Sequence, residues 1–186
     1  MRRRAIRITA ASVVLLVIGF VAFYWFSLKA VTRSHVSRVS ADLRSIGVAL
    51  ENYRAENGCY PPCTLDPQKS ANAFAHGEGI FAIPTFRIRD ESYQGLALTT
   101  PVAYLTSYFP DIYSTVKGSA PGYYTNKAGD VEGWVLFSAG PDIDYDFDWR
   151  DFDPTDPNPA NRIRAKYGYD PSNGPLSNGD ILLLKQ

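Results

Sequence analysis

The pattern of apolar and charged positions changes at two points in the first sixty residues. Residues 8–28 carry no charged side chain. At about 1.5 Å of rise per residue, a helix of that length spans the roughly 30 Å hydrocarbon core of a bilayer. Beyond it, apolar residues recur at alternating spacings of three and four, which is typical of one packed face of a helix. They are Val36, Val39, Leu43, Ile46, Leu50 and Tyr53. No Gly or Pro cluster separates the two patterns, so we expect one continuous helix over about residues 8–56.

The flanks of the apolar run favour a retained membrane anchor over a cleaved signal peptide. A signal peptide has an apolar region of about 7–15 residues that ends at small residues. Here the run is longer and ends in four aromatic residues at 23–26, which are typical of a membrane–water boundary. Four arginines precede the run within residues 1–7, whereas three basic residues, Lys29, Arg33 and Arg38, follow it within the next ten residues. This bias predicts a cytoplasmic N-terminus and a head outside the cytoplasm.

The rest of the chain predicts one small head of mixed helix and strand, an α+β fold. Asn57-Gly58 reads as a helix end, and Pro61-Pro62 forbids continuation of the helix. Residues 59–90 are expected to form a loop that contains at most a short turn of helix. A short helix is expected from about Thr99 to residue 109. The sheet is expected to contain a hairpin of residues 122–127 and 132–138 and a final strand at 181–185, with residues 140–180 irregular.

One part of this irregular segment alternates acidic and apolar residues. Its acids are Asp142, Asp144, Asp146 and Asp148. In an extended chain, alternation places all four carboxylates on one face at a spacing of about 7 Å, where they repel one another. A bound cation would relieve this repulsion, and oxygen donors with no nearby His or Cys favour calcium. The alternative is a solvated acidic strand edge that discourages pairing with another strand.

The two cysteines, Cys59 and Cys63, are a disulfide candidate. An extracytoplasmic location permits the bond. Extended polyproline geometry through Pro61-Pro62 opposes it, because this would carry the two Cα atoms toward a separation of about 12 Å, beyond the limit of about 7 Å. A tight turn would be needed to bring the thiols together. Both outcomes stay open at this point.

The sequence offers no catalytic set, so we expect that the protein is not an enzyme. Ser138 lacks the Gly-x-Ser-x-Gly context of a nucleophile, and no phosphate-binding glycine motif is present. His35 reads as a solvated or packing residue of the helix, and His76 reads as a turn residue. The net charge is zero, and no basic patch suited to nucleic acid follows the N-terminal tail.

Four ordered segments carry a resemblance to a known family. They are residues 42–62, which end in Asn-Gly-Cys-Tyr-Pro-Pro; residues 98–107, Leu-Thr-Thr-Pro-Val-Ala-Tyr-Leu-Thr-Ser; residues 133–142, Gly-Trp-Val-Leu-Phe-Ser-Ala-Gly-Pro-Asp; and residues 169–181, which include Tyr-Asp-Pro-Ser-Asn-Gly and Ser-Asn-Gly-Asp-Ile. Together they resemble the type II secretion major pseudopilins, a type IV pilin-like family. The resemblance implies a long N-terminal helix on a small antiparallel sheet with a calcium-bearing loop. It also implies an inner-membrane protein whose N-terminal helix contacts other pilin-like subunits in a short periplasmic filament.

The N-terminal segment departs from that family. Its precursors carry Gly-Phe-Thr-Leu-x-Glu before the apolar run, whereas residues 4–9 here read Arg-Ala-Ile-Arg-Ile-Thr. We therefore expect a pseudopilin-like structural or assembly subunit, with a non-polymerising, membrane-tethered binding module on the same scaffold as the alternative. The expected organisation is a cytoplasmic tail at 1–7, a transmembrane helix at 8–28, its amphipathic continuation at 29–57, and a periplasmic head at 58–186.

Overall fold

The computed structural model describes residues 2–61, 63–66, 80–82, 98–99, 102–106, 109–114 and 120–185. His76 lies outside these residues. Helix α1 runs unbroken over Arg2–Asn57, which confirms the single continuous helix. It ends as predicted, because Gly58 adopts a φ of 75° and its N–H donates to the carbonyl of Arg54 at 2.8 Å. Glycine adopts this left-handed backbone without the steric cost of a Cβ.

The head is built on a five-stranded antiparallel sheet in the order β1-β2-β3-β4-β5. The strands are β1 (Thr64–Asp66), β2 (Ile80–Ala82), β3 (Gly122–Ala128), β4 (Val131–Ser138) and β5 (Ile181–Lys185). The hairpin of β3 and β4 and the strand β5 are confirmed. The prediction that residues 59–90 form a loop with a short turn of helix is wrong at β1 and β2, and residues 67–79 and 83–90 lie outside the described residues. Each strand has only three residues, too few for a period-two pattern to be recognised.

The apolar stripe of α1 packs on this sheet. Its members from Val39 to Tyr53 are at most 3% exposed, which confirms the predicted packing face. Val36 is half-buried against the same core. Val36 and Val39 lie nearest the N-terminal half of α1, where the sequence also allows contact with a partner helix, but Val39 is already buried by the protein's own head. Gly47 lets the helix approach closely, since a Cβ there would lie 3.0 Å from the Trp134 ring and 3.3 Å from Leu183.

A polar network near the C-terminal end of α1 joins this helix to the sheet. One oxygen of Glu51 accepts from Trp134 Nε1 at 3.0 Å and from the Tyr60 hydroxyl at 2.9 Å, and the other accepts from Lys185 Nζ at 2.5 Å. Burial alone would raise the pKa of Glu51, but these hydrogen bonds hold that pKa below its usual value. The network therefore ties helix α1 to β4 and β5 with an ionised carboxylate.

The helix predicted from Thr99 is wrong. Within residues 98–99 and 102–106, the described part of this segment, no residue is helical. The carbonyl of Leu98 instead accepts from both Tyr104 N at 2.8 Å and Leu105 N at 3.0 Å. These bonds close a wide turn over the buried Leu98 side chain, whereas a helix would pair residues four apart.

The segment between β4 and β5 is more regular than predicted. It contains helix α2 (Pro159–Tyr167) and two 3₁₀ turns, Trp149–Asp151 and Gly174–Leu176. Asn158 caps α2, and its side chain accepts from Asn161 N at 3.4 Å. The signal in the sequence was this cap followed by Pro159. It was missed because the helix buries only Pro159 and Ile163, which leaves almost no apolar periodicity.

The N-terminal half of α1 is exposed over residues 13–26. From Val13 onward the helix is long and apolar enough to cross a membrane, with a mean hydropathy of 2.1 and no buried residue in the most apolar window. This bare surface separates it from the core helix of a soluble domain, which would be mostly buried. The helix is compatible with a single-pass anchor, and a signal sequence has the same length and composition.

Candidate metal centre

Two loops meet where β4 ends and β5 begins. The chain leaves β4 through a turn at residues 140–143, where Gly140 has a φ of 71°. A Cβ on Gly140 would lie 2.5 Å from the carbonyl oxygen of Gly179, which itself has a φ of 120°. The two backbones thus touch at a point where only glycine fits. This contact joins the acidic loop after β4 to the loop before β5.

Replacing Gly140 with alanine should disturb this contact, and Gly129 offers a matched control. Gly129, in the β3–β4 turn, has a nearly equal φ of 63°, but a Cβ on it would have no other atom within 4 Å. Gly129→Ala should therefore lose only the backbone preference, about 1 kcal/mol of unfolding free energy. Gly140→Ala adds a clash with backbone and should lose about 2–4 kcal/mol. Urea unfolding measures both, and equal losses would show that the loop contact contributes nothing.

The same turn holds a strained residue. Ile143 has a φ of 62°, and it is the only non-glycine residue with a positive φ in the described part of the chain. A β-branched side chain is rarely found in this left-handed region, and such strain costs about 1–3 kcal/mol. Its side chain is 53% exposed, so burial of the isoleucine does not offset the strain. Strain of this kind is typical of a backbone that is shaped around a ligand.

Asp142 and Asp180 place carboxylates at the junction of the two loops. Asp142 Oδ2 accepts from Gly179 N at 2.9 Å, and Asp180 Oδ2 accepts from Phe147 N at 2.7 Å. In each carboxylate the other oxygen, Oδ1, is buried and accepts no hydrogen bond from any described residue. A buried carboxylate oxygen without a donor is costly, so these two atoms need an explanation.

The electrostatics of Asp180 show that the acids act on one another. Its side chain is fully buried, and this burial, together with the nearby charges of Asp146 and Asp142, raises the pKa of Asp180 well above its usual value. Partial burial, Asp142 and Asp144 likewise raise the pKa of Asp146. The structure therefore brings three carboxylates, those of Asp142, Asp146 and Asp180, into one region of negative potential.

Asp144 and Asp148 have other partners. Asp144 is exposed and accepts from the neighbouring Tyr145 N at 2.9 Å. Asp148 caps the 3₁₀ turn by accepting from Arg150 N at 3.0 Å, and it lies 3.6 Å from the Arg150 guanidinium. The prediction of four carboxylates on one extended face is wrong, because the segment begins in the turn at 140–143 and ends in this cap. The alternation holds only at residues 144–147, where the two aromatic side chains are buried and the acids are exposed.

A second buried carboxylate, that of Asp111, lies beside the end of β4 and the acidic loop. Asp111 accepts from the Ser138 hydroxyl at 2.8 Å and from Tyr113 N at 3.0 Å. Burial, with the Asp111 charge nearby, raises the pKa of the Tyr145 hydroxyl well above its usual value. The ring of Tyr145 also packs edge-on against Phe137 with centroids 5.9 Å apart. The acidic loop is thus held on β4 by its aromatic residues.

The donor chemistry of this junction fits calcium. Two buried carboxylate oxygens have no donor, a third carboxylate is nearby, and the surrounding backbone offers carbonyl oxygens, which calcium accepts readily. Among the residues that the structure describes, however, no group of three or more His, Cys, Asp or Glu side chains is close enough to hold an ion by itself. Asp142 and Asp180 would therefore hold calcium with backbone oxygens, and the calcium site stays a prediction.

Sequence reasoning missed Asp180. It lies next to Gly179 in the Ser-Asn-Gly-Asp-Ile segment, which was recognised only as part of the resemblance. An acid that immediately precedes an apolar strand, far from other acids in sequence, gives no periodic signal. Its partners Phe147 and Asp142 are brought to it only by the pairing of β4 with β5.

The disulfide considered for Cys59 and Cys63 is not formed in this structure. Cys59 is an exposed free thiol just after the end of α1. Cys63 is half-buried, and its Sγ faces the carbonyl oxygen of Thr125 on β3 at 3.8 Å. Burial raises the pKa of the Cys63 thiol, which makes it a weaker nucleophile toward a partner thiol. The second thiol is therefore directed at the sheet.

Comparisons of the chain with protein-family models, curated proteins and solved structures found no match.

Proposed function

We propose that this protein is a pseudopilin-like structural or assembly subunit of a type II secretion system, or of a related type IV pilus-like system. One observation carries the proposal: α1 is a single helix of 56 residues whose second half packs on a small sheet, while residues 13–26 of its first half are exposed. A bare apolar half-helix needs a partner, either lipid or other helices. A structural subunit uses both, first as an anchor and then as an assembly surface. The proposal assigns no enzymatic activity.

The proposed location is the bacterial inner membrane, with a single pass, the N-terminus in the cytoplasm and the head in the periplasm. The arginines before the apolar run support this orientation, since positive residues favour the cytoplasmic side. Calcium at the junction of the two loops belongs to the same proposal. It is supported by the unpaired oxygens of Asp142 and Asp180 and by the strained backbone at Ile143.

The alternative function is a non-polymerising, membrane-tethered periplasmic binding module. The observation that favours it is the sequence of residues 4–9, Arg-Ala-Ile-Arg-Ile-Thr, which lacks the acid that pairs with a neighbouring subunit in the resembled family. In this case the loops between β4 and β5 would form the binding surface, and α1 would contact lipid only.

Photo-crosslinking in spheroplasts distinguishes the two functions. A photoreactive residue is placed at Val31, which is 52% exposed on the bare part of α1. A filament contact is head-to-tail, so each subunit captures its neighbour and a ladder of multimers is expected. The matched control places the same residue at Val131, at the far end of the head beside the β3–β4 turn, where monomers are expected. Electrophoresis of the irradiated membranes reads out both.

Monomers at both positions would contradict the structural subunit and support the tethered module.

The same spheroplasts also test the orientation. Protease added outside should digest the head, because the proposal places it in the periplasm. A head that is fully protected until detergent is added would overturn the proposed topology.

A further inference from the structure

In the described part of the head, one 3₁₀ turn lies beside the expected membrane end of α1. The 3₁₀ turn Gly174–Leu176 packs against α1, and a Cβ on Gly174 would lie 3.7 Å from Lys29 Cγ. Lys29 is the first charged residue after the apolar run of residues 8–28. The turn is therefore level with the end of the expected membrane span.

A large apolar side chain is exposed on this turn. Leu176 is 68% exposed, more than any other leucine of the described head. The turn itself is anchored, because Ser177 N donates to the carbonyl of Gly174 at 3.2 Å and Gly174 is buried. Leu176 thus projects from a well-held turn. Exposed apolar groups at such a level are typical of contact with a membrane interface.

A basic groove adjoins the same turn. It has a volume of about 480 Å³ and lies between α1 and the segment that leads into β5, with Arg33, Ser37, Arg164 and Tyr169 among its lining residues. Both arginines are exposed, and neither forms an ion pair with any described residue. The groove therefore offers two unengaged guanidinium groups beside hydroxyl groups, a donor set suited to phosphate oxygens.

The acids next to the groove do not neutralise it. Asp170 directs its carboxylate to its own loop, where it accepts from Ser172 N at 2.8 Å and from Asn173 Nδ2 at 3.3 Å. Asp180 also lines the groove, but its side chain is fully buried among the acids described above. The edge thus carries three basic side chains, Lys29, Arg33 and Arg164, against one exposed acid, Asp170, and its net charge is positive.

We propose that the head rests on the membrane through a basal edge made of Lys29, Arg33, Arg164 and Leu176. Leu176 enters the interface, and the two arginines bind phosphates of anionic lipid headgroups. Arg33 is five residues beyond Leu28, about 7 Å along the helix axis, and the headgroup layer extends about 5–7 Å beyond the hydrocarbon. This inference rests on the proposed membrane anchor. It adds that the head has a fixed tilt and does not swing freely above the bilayer.

Tryptophan fluorescence in proteoliposomes tests the basal edge. The full chain is reconstituted into liposomes that contain phosphatidylglycerol, with and without bromine atoms on the lipid close to the headgroup. The added tryptophan of Leu176→Trp is expected to be blue-shifted and quenched by bromine relative to the wild type. The matched control is Val131→Trp, at the far end of the head, whose added signal should be neither shifted nor quenched.

The native Trp25 separates failure of this inference from failure of the anchor. Trp25 lies in the expected span, and comparison with Trp25→Phe isolates its signal. Quenching of Trp25 without quenching at position 176 would leave the anchor in place and overturn the basal edge. Absence of quenching at both positions would overturn both the basal edge and the proposed membrane anchor.

The arginines are tested by lipid charge. With Arg33→Gln and Arg164→Gln combined in the Leu176→Trp chain, quenching at position 176 should weaken toward the level seen in neutral phosphatidylcholine liposomes. Quenching that is equal in neutral and anionic liposomes before these substitutions would overturn the role given to the arginines.

Discussion

Leu50→Ala is expected to lower the free energy of unfolding by about 2–5 kcal/mol. Leu50 is 0% exposed at the centre of the contact between α1 and the sheet, so removing its three terminal carbons leaves a cavity that the surrounding strands cannot close. A matched control lies two residues earlier on the opposite face of the same helix. Val48 is 62% exposed, and Val48→Ala should change stability by less than about 0.5 kcal/mol.

Urea unfolding of the detergent-solubilised chain measures both variants. Because alanine has the higher helix propensity, the control corrects for any change in α1 itself. Nearly equal values for the two variants would show that the stripe does not form the core that holds the head on the helix.

Calcium should stabilise the head by about 2.7 kcal/mol when the free ion is at a hundredfold excess over its dissociation constant. The physical reason is that the unpaired oxygens of Asp142 and Asp180 gain a cation only in the folded state. Asp180→Asn should abolish this calcium dependence. Without calcium, the same variant should be at least as stable as the wild type, since a neutral amide replaces a buried carboxyl group among other acids.

Thermal unfolding with calcium and with a chelator measures the effect. Asp130→Asn is the matched control, because Asp130 is an exposed acid in the β3–β4 turn far from the junction, and it should keep the full response to calcium. If the wild-type protein melts at the same temperature under both conditions, the junction does not bind calcium. The buried acids would then be a destabilising feature of the loop alone.

The parts of the fold that could be predicted are those with strong local periodicity. The spacing of Val39, Leu43, Ile46, Leu50 and Tyr53 defines one face of a helix, and the same face is buried in the structure. The β3–β4 hairpin follows from two short apolar runs joined by a turn, and β5 follows from a third short apolar run. β1 and β2 could not be predicted, because three-residue strands are selected by their partners in the sheet and not by their own sequence.

The candidate site was predicted only in part. Asp142 and Asp146 belong to the acidic alternation, and the structure places them at the junction. Asp148 belongs to the same alternation, yet the 3₁₀ turn after it uses its carboxylate as a cap. Asp180 was not recognised as part of the site, because its contact with the acidic loop depends on a strand pairing over a long sequence separation. The acidic alternation thus identified the segment that contains the site, whereas the pairing of β4 with β5 determines which acids lie at the junction.

The packing of α1 on β5 can be completed only late in the synthesis of this protein. Helix α1 is synthesised first, whereas β5, whose Leu183 covers Gly47, is synthesised only after β3, β4 and α2. Until then the apolar stripe from Val39 to Tyr53 is only partly covered. A chain truncated before residue 181 would therefore lack the strand that completes the packing of the sheet on α1.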